Sequence, residues 1–546
     1  MLHSIVFNTA QICHQLGVVH AVMSPGSRNA PLTISFARHE KIKKWIIPDE
    51  RSAGFVALGI AQETGTPVVL CCTSGTALLN YGPAIAEAYY REIPLIVLSA
   101  DRPPNLIDQR DGQTIRQFEA LKNHVKQSVQ LPLVNSTQDA TLYNQGLIKM
   151  LTECGNLPTG PVHINIPFEE PFYPNNTEKL AYQNVEMEES ESAKSERLEI
   201  DELSKYTKVL ILIGQQPADP ELNQKLEKLS ENVPVLRFPL NNLTAGIELA
   251  DLFIHQQENL KPELLITCGL SVLSKKVKLF LRAHKPKKHI HFDPAGVHVD
   301  TFQSNPSIIK FPLNDFLQEW SAANADVSFR NDWFSLEKKA NSALADFIGQ
   351  SDFCESQAAK KIINSIPKDS NLHLSNSMPV RYADMFGVKP TIQCFSNRGT
   401  SGIDGCTSTA FGTSLVSSKL NTLITGDLAF LYDRNAFFNN YKVPNLRVIV
   451  LNNQGGGIFR LIDGPSKLPE LEEYFETRHN KTAEYICAEN GLEYIKADDL
   501  NSLEGNLSTL YQPSPTPKIL EVFTDPETNQ RVYKELKTYI NERIKN

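Results

Sequence analysis

The sequence has no long hydrophobic run and no cysteine pattern of the kind that binds zinc. Its apolar stretches stay well short of the about 18 residues that a membrane-spanning helix needs. Nine cysteines are present, none of them in a C-x-x-C pair, and Cys71 and Cys72 lie side by side inside an apolar run. These features argue against a membrane span, a zinc site and a secreted disulfide framework, and they favour a reducing cytoplasm.

The sequence also lacks an excess of basic residues. Its formal net charge is −8, from 54 lysines and arginines against 62 aspartates and glutamates. A nucleic-acid-binding chain would instead carry a basic patch, whereas small cationic pockets for acidic metabolites remain compatible with this balance. The first residues, MLHSIVFNTAQICHQLG, have no basic start before an apolar core. Their apolar spacing predicts an ordinary amphipathic helix and not a signal peptide.

What the 546 residues do contain is a repeated alternation of short β-rich runs and helical patterns. The predicted strands are VVHAVM, KKWIIP, PVVLCCTSG, IPLIVLSA and PVHINIP in a first block, KVLILIG, VPVLRF, ELLITCG and KHIHFDP in a second, and NLHLSNS, TIQCFS, NTLITGD, LRVIVLNN and KILEVF in a third. Strands separated by helices indicate parallel sheets with crossover helices. We therefore predict an α/β protein with three doubly wound parallel-sheet domains.

The predicted domains span residues 1–180, 199–335 and 345–546. Between the first two lies NVEMEESESAKSERLEI, which is acidic, rich in serine and without apolar periodicity. Such a composition is typical of a linker. His163 falls inside a predicted strand, and we expect it, like Cys71 and Cys72, to be a buried structural residue.

Polar residues and glycines cluster directly after the predicted strands, where open parallel sheets bind ligands. Asp427 ends one strand, and Asn453 ends the next and precedes three glycines. Because consecutive parallel strands are usually neighbours, the two side chains could converge. A carboxylate and an amide oxygen suit Mg²⁺, which completes its shell with phosphate oxygens and water. The alternative is a helix N-cap at Asp427 and a turn at Asn452 and Asn453.

Glu50 opens a predicted helix that has a face of small residues. That face consists of Ala53, Gly54, Ala57 and Gly59. It indicates close packing against another domain or subunit, and a carboxylate in such a seam would be desolvated and could hold or move a proton. The alternative is that Glu50 only complements the helix dipole.

Together these motifs resemble the thiamine-diphosphate enzyme superfamily. The metal motif of that superfamily is Gly-Asp-Gly, followed one helix and one strand later by Asn-Asn. Here it reads Gly426-Asp427-Leu428 and Asn452-Asn453. Within the superfamily, SPGSRNAPLT, DERSAGFVALGIA, TSGTALLNYGPAIAEAYY, PLIVLSADRPP, SNSMPVR, NRGTSGIDG and GDLAFLYDRNAF are similar to the synthase family of menaquinone biosynthesis that joins 2-oxoglutarate to isochorismate. That family tolerates leucine after Gly-Asp, and the similarity is weakest in the second block.

The resemblance implies a transferase that uses thiamine diphosphate and Mg²⁺ or Mn²⁺. Residues 1–180 would bind the pyrimidine and residues 345–546 the diphosphate, with residues 199–335 as a central domain. The implied cofactor residues are Glu50 at the aminopyrimidine, Asp427, Asn453 and the carbonyl of Gly455 at the metal, and Ile403 and Phe459 as apolar walls. Core packing is the alternative for Ile403 and Phe459.

Both implied substrates are dianions, so their pockets need several cations, and arginine suits carboxylates because it pairs with them bidentately. The implied 2-oxoglutarate residues are Ser377, Arg381 and Arg398. The implied isochorismate residues are Ser27, Arg28, Arg102, Gln113, Lys275 and Lys276. For the two lysines an ordinary surface role is an equal alternative. Gly112 departs from the family, which often has asparagine there.

The resemblance also implies a homodimer or a dimer of dimers in the cytoplasm, with no nucleic-acid partner and no membrane span. One alternative function is another 2-oxoacid decarboxylase or carboligase of the same superfamily, which would have an apolar donor pocket. Another is a non-catalytic relative that binds the cofactor for regulation or scaffolding. A dinucleotide enzyme is disfavoured, because no G-x-G-x-x-G follows a predicted strand.

Overall fold

The computed structural model of the chain describes residues 2–170, 173, 180, 182–185, 200–255, 257–462 and 464–545. The predicted linker, residues 184–200, lies for the most part outside the described residues. The chain divides into two compact units. The first unit comprises Met1–Ser192, Asn397–Ser418 and Leu431–Leu446, and the second comprises Ala193–Ser396, Lys419–Phe430 and Arg447–Asn546.

The first sheet has six strands in the order β2-β1-β3-β4-β6-β5. Its strands are β1 (His20–Met23), β2 (Lys43–Ile46), β3 (Val68–Cys72), β4 (Leu95–Asp101), β5 (Ser128–Gln130) and β6 (Val162–Pro167). The helices of this part of the chain are α1 (Leu2–Phe7), α2 (Thr9–Gln15), α3 (Ala30–Arg38), α4 (Glu50–Thr64), α5 (Ala77–Asn80), α6 (Gly82–Tyr90) and α7 (Thr137–Gly155).

The second sheet has five strands in the order β11-β10-β9-β7-β8. They are β7 (Val209–Ile213), β8 (Val235–Leu236), β9 (Leu264–Cys268), β10 (Lys288–Phe292) and β11 (Ser307–Ile309). The accompanying helices are α8 (Pro220–Leu229), α9 (Ala250–Phe253), α10 (Lys275–Ala283), α11 (Leu313–Glu319) and α12 (Val327–Gln350).

The third sheet again has six strands, in the order β13-β12-β14-β15-β17-β16. They are β12 (Asn371–Leu374), β13 (Gln393–Phe395), β14 (Asn421–Gly426), β15 (Leu446–Asn452), β16 (Glu493–Ala497) and β17 (Lys518–Phe523). The helices are α13 (Glu355–Ser365), α14 (Met378–Phe386), α15 (Cys406–Val416), α16 (Asp427–Tyr432), α17 (Ile458–Leu461), α18 (Glu484–Asn490), α19 (Leu500–Leu510) and α20 (Pro526–Lys545).

The three sheets share one topology. Numbered within each sheet, the strand order contains 2-1-3-4 every time, so the order reverses between the first and the third strand. Ligands of doubly wound folds bind outside the carboxyl ends of the strands at this reversal. The pairing is parallel, with Met23 opposite Cys71 in the first sheet and Leu374 opposite Ile424 in the third. The predicted fold class is confirmed.

Burial explains why the central strands are apolar along their whole length. All residues of β3, β4, β6, β7 and β9 are buried, as expected for parallel strands with helices on both faces. His163 on β6 and Cys71 and Cys72 on β3 are 0% exposed, which confirms their structural placement. Among the described residues, no helix is both long and apolar enough to cross a membrane.

Candidate active site

The reversal point of the third sheet carries the first group of predicted site residues. Ser377 follows β12 and precedes α14, and Asp427 follows β14 as the first residue of α16. Ser377 has φ 76° and ψ −126°, a conformation that non-glycine residues rarely adopt. Such backbone strain concentrates at functional sites, so its position at the reversal point supports a binding role for this turn.

Asp427 accepts hydrogen bonds from the backbone of its own helix and from the loop after β15. It is 3% exposed, and its Oδ1 accepts the N–H of Leu428 at 2.6 Å. Its Oδ2 accepts the N–H of Gly455 at 2.9 Å, which ties the end of β14 to the loop after β15. Nε2 of His479 lies 3.5 Å from the same oxygen. The end of β14 therefore meets the loop after β15 in the second unit, whereas convergence of the Asp427 and Asn453 side chains stays a prediction.

Asn453 presents an unpaired oxygen at this point. Its Nδ2 donates to Oε2 of Glu355 at 2.6 Å. Its Oδ1 is buried and has no hydrogen-bond partner among the described residues. Burial, with the nearby negative charge of Asp427, raises the pKa of Glu355 to about 7. Buried amide oxygens nearly always have a hydrogen-bond partner, so the unpaired Oδ1 of Asn453 is suited to bind a ligand.

The glycines after Asn453 are required by close contacts. A Cβ on Gly457 would lie 2.6 Å from Nδ2 of Asn453, and a Cβ on Gly455 would lie 2.6 Å from the carbonyl oxygen of Glu476. The N–H of Gly456 donates to that same carbonyl at 2.7 Å. The carbonyl of Gly455 accepts the N–H of Gly457 at 3.0 Å and keeps a second lone pair.

This donor set fits a hard divalent cation. It offers one buried carboxylate, one unpaired amide oxygen and one backbone carbonyl, and Mg²⁺ takes such oxygens together with phosphate and water. Within the described part of the chain, no three histidine, cysteine, aspartate or glutamate side chains converge as a metal site. The carboxylate, the amide oxygen and the carbonyl leave the rest of an octahedral shell to water or phosphate oxygens.

Further predicted residues of the second unit flank this crevice or lie on α10. Arg381, on the first turn of α14, donates from its guanidinium to the carbonyl of Ser377, so these two predicted residues are brought together. Phe459 is half-buried, and its ring centroid lies 5.8 Å from that of Phe475. Lys275 is exposed and Lys276 is half-buried at the start of α10. Nothing in this geometry assigns the two lysines a ligand.

The reversal point of the first sheet carries several of the residues that are predicted to bind isochorismate. Arg28 is 5% exposed and donates to the carbonyl of Phe168 at 3.0 Å. Burial, together with the positive charge of Arg102, lowers the pKa of Arg28. Gln113 lies over the end of β3, because a Cβ on Gly75 would be 3.6 Å from its Cα. These residues therefore follow β1 and β4, and Gln113 reaches the loop after β3 at the same edge of the sheet. Ser27 is exposed beside Arg28.

Glu50 is the first residue of α4, but it does not cap that helix. Asp49 is the N-cap, and its carboxylate accepts the N–H groups of Arg51 and Ser52 at 2.9 and 3.4 Å. Glu50 is half-buried, and this burial raises the pKa of its carboxyl group. The dipole alternative is weakened, because the helix end already has its carboxylate partner.

The small face of α4 packs against α15. A Cβ on Gly59 would lie 2.1 Å from the carbonyl oxygen of Thr409, and a Cβ on Gly412 would lie 2.1 Å from that of Val56. The hydroxyl of Thr413 donates to the carbonyl of Gly59 at 3.0 Å. The predicted close packing of this face is present, with α15 of the same compact unit as its partner, and packing against another subunit stays a prediction.

Comparisons with known proteins identify the family. The family described as "Thiamine pyrophosphate enzyme, N-terminal TPP binding domain" matches residues 7–124. The chain is 43% identical to the 2-succinyl-5-enolpyruvyl-6-hydroxy-3-cyclohexene-1-carboxylate synthase of Cytophaga hutchinsonii, over 98% of this chain and 99% of that protein. It is 40% identical to the synthase of Flavobacterium johnsoniae, over 96% and 97%, and 36% identical to that of Bacteroides fragilis, over 95% and 96%.

The chain belongs to the family of 2-succinyl-5-enolpyruvyl-6-hydroxy-3-cyclohexene-1-carboxylate synthases. It is a transferase of the thiamine-diphosphate enzyme superfamily, as its motifs and its three sheets predict. Membership of this superfamily supports thiamine diphosphate as the cofactor, whereas the roles of individual residues stay predictions.

Sequence reasoning missed a residue that holds the Arg398 loop of this synthase-family chain. Glu87 on α6 is 1% exposed, and its carboxylate accepts the N–H of Gly399 at 2.9 Å and the N–H of Thr400 at 2.7 Å. Arg398 is half-buried in this loop. Ile403 is 39% exposed, so core packing does not account for it. The signal in the sequence for Glu87 was a single acidic residue inside the apolar stretch GPAIAEAYY.

A second missed residue is Gln117, which fixes the loop that carries Gln113. It is 1% exposed, and its Oε1 accepts the N–H of Gly75 at 2.7 Å. Its Nε2 donates to the carbonyl of Ala100 at 3.1 Å and to Oδ1 of Asn165 at 2.9 Å. The loop after β4 is thereby tied to the loop after β3, which no local sequence pattern indicates.

Proposed function

We propose that this chain uses thiamine diphosphate to decarboxylate 2-oxoglutarate and adds the succinyl carbanion equivalent to isochorismate. The product would be 2-succinyl-5-enolpyruvyl-6-hydroxy-3-cyclohexene-1-carboxylate, an intermediate of menaquinone biosynthesis. The observation that carries this proposal is the similarity to synthases of that name over nearly the whole chain, at 43% identity over 98% of it. The cationic residues after the strands support it, because both substrates are dianions.

The proposed cofactor residues divide the work of binding and proton transfer. Thiamine diphosphate supplies the electron sink for carbanion chemistry when it is bound. Asp427 and the unpaired Oδ1 of Asn453, with the carbonyl of Gly455, would hold Mg²⁺ or Mn²⁺ against the diphosphate. Glu50 would exchange a proton with the aminopyrimidine, and its raised pKa suits a carboxyl group that holds a proton.

The proposed substrate residues follow from charge. Ser377, Arg381 and Arg398 would bind 2-oxoglutarate. Ser27, Arg28, Arg102, Gln113, Lys275 and Lys276 would bind isochorismate. Ile403 and Phe459 would wall the reacting centre. Arg28 is well suited to its role, since a desolvated guanidinium interacts strongly with a carboxylate.

The proposed assembly is a homodimer or a dimer of dimers in the cytoplasm. Residues 1–180 of one chain would bind the pyrimidine of a cofactor whose diphosphate is held by residues 345–546 of another, with residues 199–335 between them in each chain. All nine cysteines are free and buried, which is compatible with a reducing compartment. Solution scattering tests the assembly, and an active monomer would contradict it.

A coupled assay tests the reaction. The chain is mixed with thiamine diphosphate and Mg²⁺, and CO₂ release is measured from 2-oxoglutarate and from pyruvate, with and without isochorismate. We expect release from 2-oxoglutarate and product formation only when isochorismate is added. A preference for pyruvate would indicate a different 2-oxoacid enzyme, and binding without any CO₂ release would indicate a non-catalytic relative.

A further inference from the structure

The amide of Asn453 is held by a carboxylate from a distant part of the chain. Its Nδ2 donates to Oε2 of Glu355 at 2.6 Å, across 98 positions of sequence. An asparagine amide can present either its oxygen or its nitrogen to a neighbour after a half-turn of the side chain. The carboxylate oxygen of Glu355 accepts a hydrogen bond, so it pairs with the amide nitrogen of Asn453 and not with the amide oxygen. Glu355 therefore fixes which way the Asn453 amide points.

Glu355 is itself fixed from two further elements. It is 3% exposed on the first turn of α13, and its N–H donates to Oδ1 of Asn529 on α20 at 2.8 Å. Nδ2 of Asn529 donates in turn to the hydroxyl of Thr524 at 2.9 Å. The hydroxyl of Tyr382 on α14 also pairs with the Glu355 carboxylate. The position of this carboxylate is therefore set independently of Asn453.

The neighbouring residue shows what an ordinary buried asparagine does here. Nδ2 of Asn452 donates to Oε1 of Glu521 at 2.7 Å, and its Oδ1 accepts the N–H of Gln454 at 3.0 Å. Both ends of that amide are paired. At Asn453 the nitrogen is paired in the same way, but the buried oxygen has no partner among the described residues. The two glutamate–asparagine pairs are thus alike, except that Oδ1 of Asn452 has a hydrogen-bond partner and Oδ1 of Asn453 has none among the described residues.

We propose that Glu355 is a positioning residue of the metal–diphosphate site, whose carboxylate turns the Asn453 amide so that Oδ1, and not Nδ2, faces the divalent cation. This inference rests on the proposed function, because it takes Asp427 and Asn453 as cation ligands. Glu355 touches neither the cation nor a substrate, but it decides which atom Asn453 offers. A tie that only joins β15 to α13 would not influence cation affinity in this way.

Binding of Mn²⁺ to the full-length chain with thiamine diphosphate tests the proposal without turnover. Free Mn²⁺ is measured by electron paramagnetic resonance. Glu355→Gln keeps the shape, but its amide both donates and accepts, so it no longer selects one orientation of Asn453. We expect the Kd for Mn²⁺ to rise about 10- to 100-fold, as for other residues that orient metal ligands.

Glu521→Gln is the matched control. Glu521 is also buried, also holds an asparagine amide and also lies near the charge of Asp427. Its substitution removes the same charge without releasing the amide of Asn453. We expect the Kd for Mn²⁺ to rise by at most about threefold in this variant. Equal losses in the two variants would mean that charge alone acts, and would overturn the proposal.

A double variant tests orientation directly. In Glu355→Gln with Asn453→Asp, the introduced glutamine donates to one carboxylate oxygen and leaves the other for Mn²⁺. Affinity should return to within about threefold of wild type, and no recovery would overturn the proposal. Wild-type affinity in Glu355→Gln itself would refute the inference alone, whereas no Mn²⁺ binding by the wild-type chain would refute the proposed metal site as well. If Glu355→Gln does not fold, Glu355→Asp, which shortens the reach of the carboxylate, carries the same prediction.

Discussion

The carboxylate of Glu87 accepts two hydrogen bonds from Thr400, from its N–H at 2.7 Å and from its hydroxyl at 2.8 Å. The two residues are 313 positions apart in the sequence. Nε of Arg91, whose side chain is 9% exposed, lies 4.0 Å from the same carboxylate. A single acidic side chain on α6 therefore sets the conformation of the loop that presents Arg398.

Substitution of Glu87 should weaken 2-oxoglutarate binding. Glu87→Gln retains the size of the side chain but cannot accept every hydrogen bond from Gly399 and Thr400, so the loop that carries Arg398 loosens. We expect the KM for 2-oxoglutarate to rise about tenfold, the equivalent of one lost charge-assisted hydrogen bond, while the KM for isochorismate changes little. Steady-state kinetics with each substrate varied in turn measures the difference.

The control for this substitution is Glu40→Gln, which removes an exposed carboxylate. Glu87→Gln should also lower the thermal unfolding midpoint, because it leaves Arg91 buried beside a neutral group. A lower midpoint with an unchanged KM for 2-oxoglutarate would mean that Glu87 stabilises the fold without positioning the substrate loop.

Removal of the Glu50 carboxyl group should separate binding from catalysis. Glu50→Gln preserves the size of the side chain but cannot exchange the proton that the proposed mechanism requires. We expect turnover to fall by about 10²- to 10⁴-fold, while the affinity for thiamine diphosphate changes far less. Isothermal titration gives the affinity, and the CO₂ assay gives the turnover. Glu63→Gln, near the other end of α4, is the control, and equal activities in the two variants would rule out the proposed role of Glu50.

The strands that sequence reasoning missed share one position in the fold. Every predicted strand is present, but β5, β11 and β16 were not predicted, and each is an edge strand of its sheet. Their residues are mostly half-buried, with patterns that lack a continuous apolar run. The central strands are covered on both faces, so each appears in the sequence as a nearly continuous apolar run. Edge position alone does not hide a strand, because the edge strands β2, β8 and β13 were predicted; the three missed strands are also too little buried to show an apolar run.

The candidate site divides along a similar line. Asp427 and Asn453 directly follow the neighbouring strands β14 and β15, so the meeting of these two strand ends could be predicted from the order of the chain. Glu355 and Glu87 could not, because they reach their partners across 98 and more than 300 positions. Such contacts depend on how helices pack onto the sheets, and a glutamate in a helix gives no local sign of its partner.

The contact between α4 and α15 should tolerate no added methyl group. A Cβ on Gly412 would meet the carbonyl oxygen of Val56 at 2.1 Å, so Gly412→Ala must push two helix backbones apart. We expect a loss of about 1–3 kcal/mol or more in the free energy of unfolding. Differential scanning calorimetry measures the shift. Gly505→Ala, inside α19 with open space around it, should instead stabilise by about 0.5–1 kcal/mol. A neutral Gly412→Ala would contradict the observed packing.

Acidification should destabilise the first unit through His163. Its Nε2 lies 2.8 Å from Oγ of Ser99, whose hydroxyl donates to Oδ1 of Asn165, so Nε2–H is the donor to Ser99. Burial lowers the pKa of His163 to about 4, whereas an unfolded histidine has a pKa of about 6.5. Between these values the unfolded state binds a proton that the folded state does not. Stability therefore falls as the pH drops from about 6.5 towards 4, by about 2 kcal/mol at about pH 5.

Comparison with His163→Gln isolates this contribution. Glutamine retains a donor for Ser99 but does not titrate. When the pH is lowered from about 7.5 to about 5, the thermal unfolding midpoint of the variant should therefore fall less than that of the wild type. His289 has a pKa lowered to about 4 by burial and acts with the same sign, but it is present in both proteins and cancels in the difference. If both midpoints fall in parallel, His163 takes up its proton equally in the folded and unfolded chains, and the buried pair with Ser99 does not oppose protonation.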